Sequence, residues 1–158
     1  MFLVNYLKGR RFPNYPYIPP PALCLCTQLS IKSMMRNKIS DGQIILISSM
    51  SGHRVPPNPS TRFYSATKFA VTGLLEGWRQ EVRDLGTNIR VAAISPGLVE
   101  TEFQSVMYPD NPEKAEAIKR SVKCLESEDI SSAVSYIISC PPHMQIHDIL
   151  LRPTQQKS

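Results

Sequence analysis

The chain has 158 residues, of which 42% are hydrophobic and 20% charged, a composition typical of a single globular domain. Its net charge of +5 is spread along the sequence, apart from Lys8, Arg10 and Arg11, and no apolar run approaches the roughly 18 residues that cross a bilayer. The apolar start, residues 1–7, precedes its basic residues instead of following them and has no cleavage site, so it does not predict secretion. We therefore expect a cytoplasmic protein with no membrane span.

The first 21 residues have an unusual composition. Five of the fourteen prolines lie there, and the stretch from Lys8 to Tyr17 contains both basic residues and tyrosines. A nucleic-acid-binding arm is one interpretation of that mixture, but a disordered extension requires no folded surface to present it, and we favour the extension. The sequence thus predicts an atypical segment over residues 1–21, a folded domain over residues 22–158, and no nucleic-acid partner.

The first predicted helix runs from Leu23 to about Asn37. Its apolar residues recur at helical spacing, and the basic residues near its carboxyl end favour the helix dipole. The helix carries Cys24 and Cys26, which are one residue apart and therefore point in different directions. We interpret all four cysteines of the chain as reduced packing thiols, and predict neither a disulfide nor a zinc site.

A buried strand and a turn come next. The run Gln43–Ile47 follows Asp41-Gly42 and is short, apolar and rich in β-branched residues, which is typical of a strand buried on both faces. A polar turn over residues 48–52 ends this strand. The loop that continues to Arg62 contains three prolines and cannot form a regular element.

The second predicted helix starts at Ser60 or Thr61, either of which can cap it, and ends near Leu85, where Gly86 permits a left-handed stop. One stripe of the helix is apolar and predicts the core: Ala70, Leu74, Trp78 and Val82. A second stripe has small residues only: Ala66, Ala70, Gly73 and Gly77. Glycine costs a helix about 1 kcal/mol relative to alanine, so this stripe predicts close packing, either on the sheet or between helices of two copies, and we favour the latter.

The rest of the chain continues the alternation of strands and helices. The predicted elements are a buried strand over Asn88–Ser95 that ends at Pro96-Gly97, a polar loop over Thr101–Pro112, a charged helix over Glu113–Leu125, a last helix from Ser127 to Pro141, and a short strand over Ile149–Leu151. His143 and His147 have the i, i+4 spacing of metal ligands, but no third ligand accompanies them, so we predict no metal site.

Tyr64 and Lys68 are four residues apart on the second predicted helix. Residues at this spacing lie one above the other on a helix face, so the phenol and the ammonium are held side by side. The adjacent positive charge favours the phenolate, and the tyrosine's pKa falls from about 10 toward the range in which it exchanges protons at neutral pH. Such a group is suited to interconvert a carbonyl and an alcohol, and Ser49 lies a short way upstream.

Taken together, the order strand, serine, Tyr-x-x-x-Lys helix, strand and Pro-Gly resembles the short-chain dehydrogenase/reductase family. Residues 49–54 and 148–154 are most similar to its member 11 group, which is described as NADPH-dependent reductases of ketosteroids and other carbonyls. The resemblance extends from about Ala22 to the last residue. It implies an α/β fold: the C-terminal portion of a Rossmann-like, doubly wound parallel sheet.

The resemblance implies three catalytic residues, Ser49, Tyr64 and Lys68. Tyr64 would donate its proton to the carbonyl oxygen, Ser49 would hold that oxygen by a hydrogen bond, and Lys68 would lower the tyrosine's pKa and hold the nicotinamide ribose. Ser49 is chosen over Ser48 and Ser51 because it aligns with the second serine of the family's Ser-Ser-x-x-Gly. Its spacing to Tyr64 is two residues longer than in many members.

The resemblance also implies NADP as the cofactor and a set of residues that bind it: Tyr64, Lys68, Pro96, Gly97, Val99 and Thr101. Pro96 and Gly97 would let the backbone approach the nicotinamide ring, and Val99 with Thr101 would bind its carboxamide. The alternatives that involve no cofactor are a plain turn at Pro96-Gly97 and a helix cap at Thr101.

The loop after Thr101 closes over the substrate in this family. Its residues Phe103, Met107 and Tyr108 are therefore candidates for an apolar lid over a small carbonyl or steroid substrate. Ordinary local packing of the three side chains is the alternative.

No counterpart of the family's N-terminal nucleotide-binding half is found in the sequence. Family members begin with a Thr-Gly-x-x-x-Gly-x-Gly turn whose backbone amides bind the cofactor pyrophosphate, and the seven glycines of this chain form no such turn. The asparagine of the family's proton relay is also missing, and prolines 19–21 stand at its place. We therefore expect impaired NADP binding and a weak or inactive chain.

Three interpretations follow. The first is an NADP-dependent oxidoreductase of steroid keto groups or other lipophilic carbonyls whose sequence is incomplete. The second is a non-catalytic fragment that dimerises with full-length family members through its first two helices, Leu23–Asn37 and Phe63–Leu85. The third is an unstable product without a function. We favour the oxidoreductase, with a second copy or a full-length homologue as its protein partner.

Overall fold

The computed structural model describes residues 20–58 and 61–157, and within them five α-helices accompany three strands. In chain order the elements are helix α1 (Pro20–Arg36), strand β1 (Gln43–Ile47), helix α2 (Arg62–Asp84), strand β2 (Arg90–Pro96), helices α3 (Phe103–Met107), α4 (Pro112–Arg120) and α5 (Ser127–Ser139), and strand β3 (Asp148–Leu151). A single 3₁₀ turn, Met50–Gly52, follows β1 and is called the serine turn below, together with Ser49 before it. The predicted extension, except for its last two residues, and the predicted cap Ser60 lie outside the described residues.

The strands form one parallel sheet in the order β1-β2-β3. Ile44 pairs with Val91 across the first ladder, and Ile94 pairs with Ile149 across the second. Because parallel neighbours require a crossover, α2 connects β1 to β2, and helices α3 to α5 lie between β2 and β3. The predicted α/β class with a parallel sheet is confirmed.

Helices cover both faces of β2, which is the most deeply buried strand. On one face, α1 and α2 pack on Ile44, Leu46, Val91 and Ala93. On the other face, Ile137 of α5 packs on Ala92 and Ile94. Five consecutive residues of β2, from Val91 to Ser95, are therefore 2% exposed or less, as expected of a strand between two helical layers.

The prediction that β1 is buried on both faces is wrong for one face. Ile44 and Leu46 are buried under α1 and α2, whereas Ile45 is half-buried and Ile47 is 55% exposed. The difference arises because β1 is the edge strand of the described sheet, and Ile47 ends it on the wall of an open cavity.

The predicted core stripe of α2 is correct at Trp78 and Val82 and wrong at Ala70 and Leu74. Val71, Leu75, Trp78 and Val82 form its buried stripe, while Leu74 is half-buried and Ala70 is exposed. The stripe of small residues faces outward, and a Cβ built on Gly73 or Gly77 meets nothing within 4 Å. Packing on the sheet therefore does not explain these two glycines.

The segment between β2 and α5 contains one helix that was not predicted, and its second helix is shorter than predicted. Helix α3 lies inside the predicted loop, and α4 ends at Arg120 where a helix to Leu125 was expected. Asn111 starts α4 by accepting a hydrogen bond from the Lys114 amide, with Pro112 at its first position. The helix stops early because Leu125 forms a parallel bridge with Val99. The Leu125 amide donates to the Leu98 carbonyl at 2.9 Å, and the Leu125 carbonyl accepts from the Glu100 amide at 2.8 Å.

Two glycines, one inside α2 and one just after its end, allow a matched test of where this helix runs and where it stops. Gly77→Ala adds a methyl group to an exposed helix position with free space around it, so we expect it to raise the free energy of unfolding by about 1 kcal/mol. Gly86→Ala forces alanine into a backbone with φ of +69°, so we expect a loss of about 1–2 kcal/mol. Urea denaturation, monitored by the fluorescence of the buried Trp78, measures both changes in the free energy of unfolding. Equal effects of the two substitutions would contradict a helical Gly77 and a left-handed Gly86.

Candidate active site

A cavity of about 990 Å³ opens at the carboxyl ends of β1 and β2. In parallel α/β sheets this edge is where ligands bind, because side chains and loops that follow neighbouring strands converge there. All of the residues that the sequence assigned to catalysis or cofactor binding line the cavity wall: Ser49, Tyr64, Lys68, Pro96, Gly97, Val99 and Thr101.

Ser49 follows β1 and caps the serine turn. The ladder continues one residue past β1, since the Ser48 amide donates to the Ile94 carbonyl at 2.7 Å. Ser49 then has extended backbone, and its Oγ accepts a hydrogen bond from the Ser51 amide at 3.1 Å. That bond orients a hydroxyl that is 8% exposed and leaves its proton available to a ligand.

The neighbouring serines also line the cavity and are equally buried, with exposed fractions of 6% for both Ser48 and Ser51. Ser48 Oγ has no hydrogen-bond partner among the described residues. What distinguishes Ser49 from both is that its oxygen has a defined orientation, imposed by the backbone of its own turn.

The serine turn packs directly on α2 through Gly52. A Cβ at this position would lie 2.9 Å from both the Lys68 carbonyl oxygen and Thr72 Oγ1, so glycine is required for the close approach. Thr72 Oγ1 lies 3.1 Å from the Gly52 carbonyl oxygen and donates its hydrogen bond there. These contacts place Ser49 opposite the first two turns of α2, where Tyr64 and Lys68 lie.

Tyr64 and Lys68 occupy one face of α2, as their spacing predicted. The Lys68 ammonium nitrogen lies 5.5 Å from the centroid of the Tyr64 ring. Tyr64 is 8% exposed, and its ring is also tilted against that of Phe103, with the centroids 5.7 Å apart. Burial of Lys68 at the cavity wall lowers the pKa of its ammonium group, because desolvation disfavours the charged form.

The segment after β2 forms the opposite wall of the cavity. The Gly97 amide donates to the Leu151 carbonyl at 2.8 Å, which ties the Pro-Gly step to β3, and the bridge to Leu125 holds Val99. Thr101 Oγ1 accepts a hydrogen bond from the Phe103 amide at 3.3 Å, so this hydroxyl takes part in the first turn of α3. The helix-cap alternative for Thr101 therefore has a contact that supports it.

The three lid candidates, Phe103, Met107 and Tyr108, line the same cavity. Asn58 in the proline-rich loop donates a hydrogen bond from Nδ2 to the Tyr108 hydroxyl oxygen at 3.2 Å. The loop and the lid thus meet across the mouth of the cavity. The sequence suggested the lid but not this contact, because its partners are 50 residues apart.

The two segments on which the resemblance rested are in contact. His53 Nε2 lies 3.0 Å from Asp148 Oδ2, and Ser95 Oγ donates to the same carboxylate oxygen at 2.9 Å. His53 directly follows the serine turn and Asp148 begins β3, so this cluster ties the turn to the far edge of the sheet.

Sequence reasoning missed Gln156, which also lines the cavity. It lies five residues after β3, in a tail with no periodic pattern, and its partners Leu98 and Met50 are 58 and 106 residues away. Only the fragment of sequence that resembled the member 11 group, residues 148–154, pointed toward this tail.

The described residues contain no group of three or more His, Cys, Asp or Glu side chains that could hold a metal ion. All four cysteines are free thiols in the structure: Cys24, Cys26, Cys124 and Cys140. Among the helices of residues 20–58 and 61–157, none has the length and apolar character needed to cross a membrane.

Comparison with known proteins gives a consistent result. A family model described as short chain dehydrogenase matches residues 21–112. Dehydrogenase/reductase SDR family member 11 of Bos taurus is 53% identical over 135 residues, which are 85% of this chain and 53% of that protein. Farnesol dehydrogenase of Aedes aegypti is 40% identical over 135 residues, covering 85% of this chain and 51% of the relative. The chain thus spans about half the length of the curated relatives it matches.

Solved structures match over a similar share. The closed form of a serine dehydrogenase complexed with NADP⁺ has a TM-score of 0.78 and 31% sequence identity, covering 88% of this chain and 54% of that one. A 4-hydroxyisoleucine dehydrogenase complexed with NADH has a TM-score of 0.60 and 28% identity, covering 82% of this chain and 52% of that one.

The lowered pKa of Lys68 has a measurable consequence for stability. The unfolded chain binds its lysine proton up to the usual pKa of about 10.5, whereas the folded chain releases it at lower pH. Between the two pKa values the unfolded state carries more protons, so this group makes the folded state more stable as pH rises, and costs stability at neutral pH.

We therefore expect Lys68→Met to raise the free energy of unfolding at pH 7 by roughly 0.5–2 kcal/mol, and to remove part of the gain that the unmodified chain shows toward pH 10. Denaturation curves of both proteins across this range give the difference. Lys32→Met, an exposed lysine of α1, is the control and should change neither value. A Lys68→Met protein that is less stable at pH 7 would contradict the assigned burial cost.

Proposed function

Because this chain belongs to the short-chain dehydrogenase/reductase family, as its motifs predicted, we propose that it is an NADP-dependent oxidoreductase that reduces keto groups of steroids or other lipophilic carbonyls in the cytoplasm. Residues 22–158 would form part of such a domain. The observation that carries the proposal is the convergence of Ser49, Tyr64 and Lys68 with the Pro96–Thr101 segment on one cavity. Residues from three separate segments of the chain thus line one cavity, and this supports a role for them in carbonyl reduction.

In the proposed reaction the chain provides the proton and stabilises the developing charge. NADPH, when bound, would supply the hydride. Tyr64 gives its phenolic proton to the carbonyl oxygen, which Ser49 holds by a hydrogen bond from its hydroxyl. The phenolate that remains is stabilised by the ammonium of Lys68, whose nitrogen lies 5.5 Å from the ring centroid.

The nicotinamide end of the cofactor fits the residues present. Lys68 is a partly desolvated cation on the cavity wall, suited to the ribose hydroxyls, and Pro96 and Gly97 line the opposite wall. Val99 and Thr101 follow on the same wall for the carboxamide. The pyrophosphate end has no glycine-rich turn in this sequence, so we propose that these 158 residues bind NADP weakly and reduce carbonyls slowly.

The lining of the cavity supports a lipophilic substrate. Many of the side chains that line the cavity are apolar or aromatic, among them Pro56, Pro57, Phe103, Met107, Tyr108 and Ile118. A volume of about 990 Å³ is at the upper end of what small-molecule pockets usually have, and it leaves room for a nicotinamide beside a large carbonyl compound. The names of two relatives, a reductase and a farnesol dehydrogenase, agree with carbonyl/alcohol chemistry on a lipophilic compound.

Titration of the purified chain with NADPH, read by fluorescence, tests the cofactor part of the proposal. We expect saturable but weak binding. Absence of binding at millimolar NADPH would remove the enzyme interpretation for these residues.

Tyr64→Phe tests the chemistry, because it removes the proton donor and keeps the ring that packs beside Phe103. We expect NADPH consumption with a steroid ketone to fall by a factor of about 10²–10⁴, with NADPH affinity changed little. Tyr136→Phe is the matched control, since Tyr136 is 51% exposed on α5 and does not line the cavity. Equal rates for the two variants would refute the role of Tyr64.

A second proposal is that the chain pairs, through α1 and α2, with a second copy or with a full-length homologue. The supporting observation is that both helices expose apolar side chains, among them Leu25 and Leu29 on α1 and Phe69 on α2. The open stripe that contains Gly73 and Gly77 offers a surface on which another helix could approach closely.

Sedimentation measures this pairing. We expect Leu29→Glu to shift the chain toward monomer by at least tenfold in dissociation constant, because it buries a charge in the contact. Ile138→Glu is the control, since Ile138 is similarly exposed on α5. If the unmodified chain sediments as a monomer and does not associate when mixed with a full-length relative, the pairing is wrong.

A further inference from the structure

Gln156 joins two walls of the candidate active site. Its side-chain oxygen accepts a hydrogen bond from the Leu98 amide at 3.0 Å, and its side-chain nitrogen donates to the Met50 sulfur at 3.0 Å. The amide orientation is determined by chemistry, because a backbone N–H can only donate and a thioether can only accept. One short side chain therefore contacts both the segment after β2 and the serine turn.

The two contacts lie directly beside residues with proposed roles. Leu98 follows Pro96-Gly97 on the wall that would face the nicotinamide, and Met50 follows Ser49. We propose that Gln156 is a positioning residue that sets the distance between these two walls, and thereby between the hydride donor and the carbonyl held by Ser49. This inference rests on the function proposed above.

Gln156 is closely packed against Gly97, and the tail that carries it is held by its own turn. A Cβ at position 97 would overlap Gln156 Oε1 and lie 2.6 Å from the Cβ of Arg152, so Gly97 is what allows the side chain to reach Leu98. The tail is held by a turn in which the Gln156 amide donates to the carbonyl of the buried Pro153 at 3.0 Å. Met50 is 4% exposed, so its sulfur has little freedom to move away.

Among the described residues, the other side-chain hydrogen bonds that tie the serine turn to its surroundings lie at its far end, and the backbone just before it is held by the Ser48 bond to β2. Thr72 bonds to Gly52, and Asp148 bonds to His53, which are the last residue of the turn and the residue after it. Loss of Gln156 would therefore leave the turn attached to α2, β3 and, through Ser48, to β2, while Met50 loses its one side-chain link to the Leu98 wall. A change in catalysis without unfolding is the result that this geometry predicts.

Hydrogen exchange and amide chemical shifts of the purified chain test the positioning directly. In Gln156→Ala we expect the Leu98 amide to exchange at least about fivefold faster and the Ser51 amide signal to shift. Gln156→Glu keeps an acceptor for Leu98 but offers no donor to Met50, so the Leu98 amide should stay protected while the Ser51 signal still shifts. Gln155→Ala, in an exposed neighbour, is the control and should change neither.

Steady-state kinetics with NADPH and a steroid ketone test the catalytic consequence. We expect kcat per folded molecule to fall about tenfold or more in both Gln156 variants, with a smaller change in the KM of the ketone, and to stay unchanged in Gln155→Ala. A lower melting temperature with unchanged kcat would show a merely structural role and overturn the inference.

Different results would refute the oxidoreductase function and the positioning role of Gln156. If the unmodified chain shows no NADPH-dependent turnover, the proposed function is refuted, and the Leu98 and Ser51 measurements decide the inference alone. Unchanged Leu98 exchange or an unshifted Ser51 signal in Gln156→Ala would then overturn it, whereas both changes together would support it.

Discussion

The contact between Gly52 and α2 brings Ser49 to the same cavity as Tyr64 and Lys68. Ser49 belongs to the end of a strand, and Tyr64 and Lys68 belong to a helix that begins ten residues after the serine turn, beyond a proline-rich loop. They meet because glycine at position 52 lets the backbone of the turn lie against the backbone of the helix, closer than any side chain would permit. The rest of the cavity is built around that approach.

The parallel sheet supplies the second condition. Since β1 and β2 run in the same direction, the residues that follow them emerge at the same edge, and the serine turn faces the Pro96–Thr101 segment across the cavity. The third strand adds a support for both walls. From β3 and the tail after it come Asp148, which bonds to the end of the serine turn, and Gln156, which bonds to its start and to Leu98. The C-terminal tail is thus part of the site's framework.

Lys68 shows how the site and the stability of the fold oppose each other. A lysine half-buried on a cavity wall is costly at neutral pH, because its charge has lost water. Retaining a desolvated cation next to a buried phenol is understandable if a ligand and a phenolate share its charge. The physical cost at this position is therefore an argument for function that is independent of any likeness to other proteins.

Local patterns in the sequence were sufficient to predict β1 and the stop of α2 at Gly86, because each depends on a few neighbouring residues. The same holds for the pairing of Tyr64 with Lys68, which helical geometry imposes at four-residue spacing. The order of such patterns along the chain predicted the parallel α/β class and the family. Tertiary structure alone decided which stripe of α2 is buried, that Ile47 is exposed, that α4 ends at the Val99–Leu125 bridge, and that Gln156 joins Leu98 to Met50. These depend on contacts between residues tens of positions apart, and periodicity carries no information about which distant segment will lie against which face.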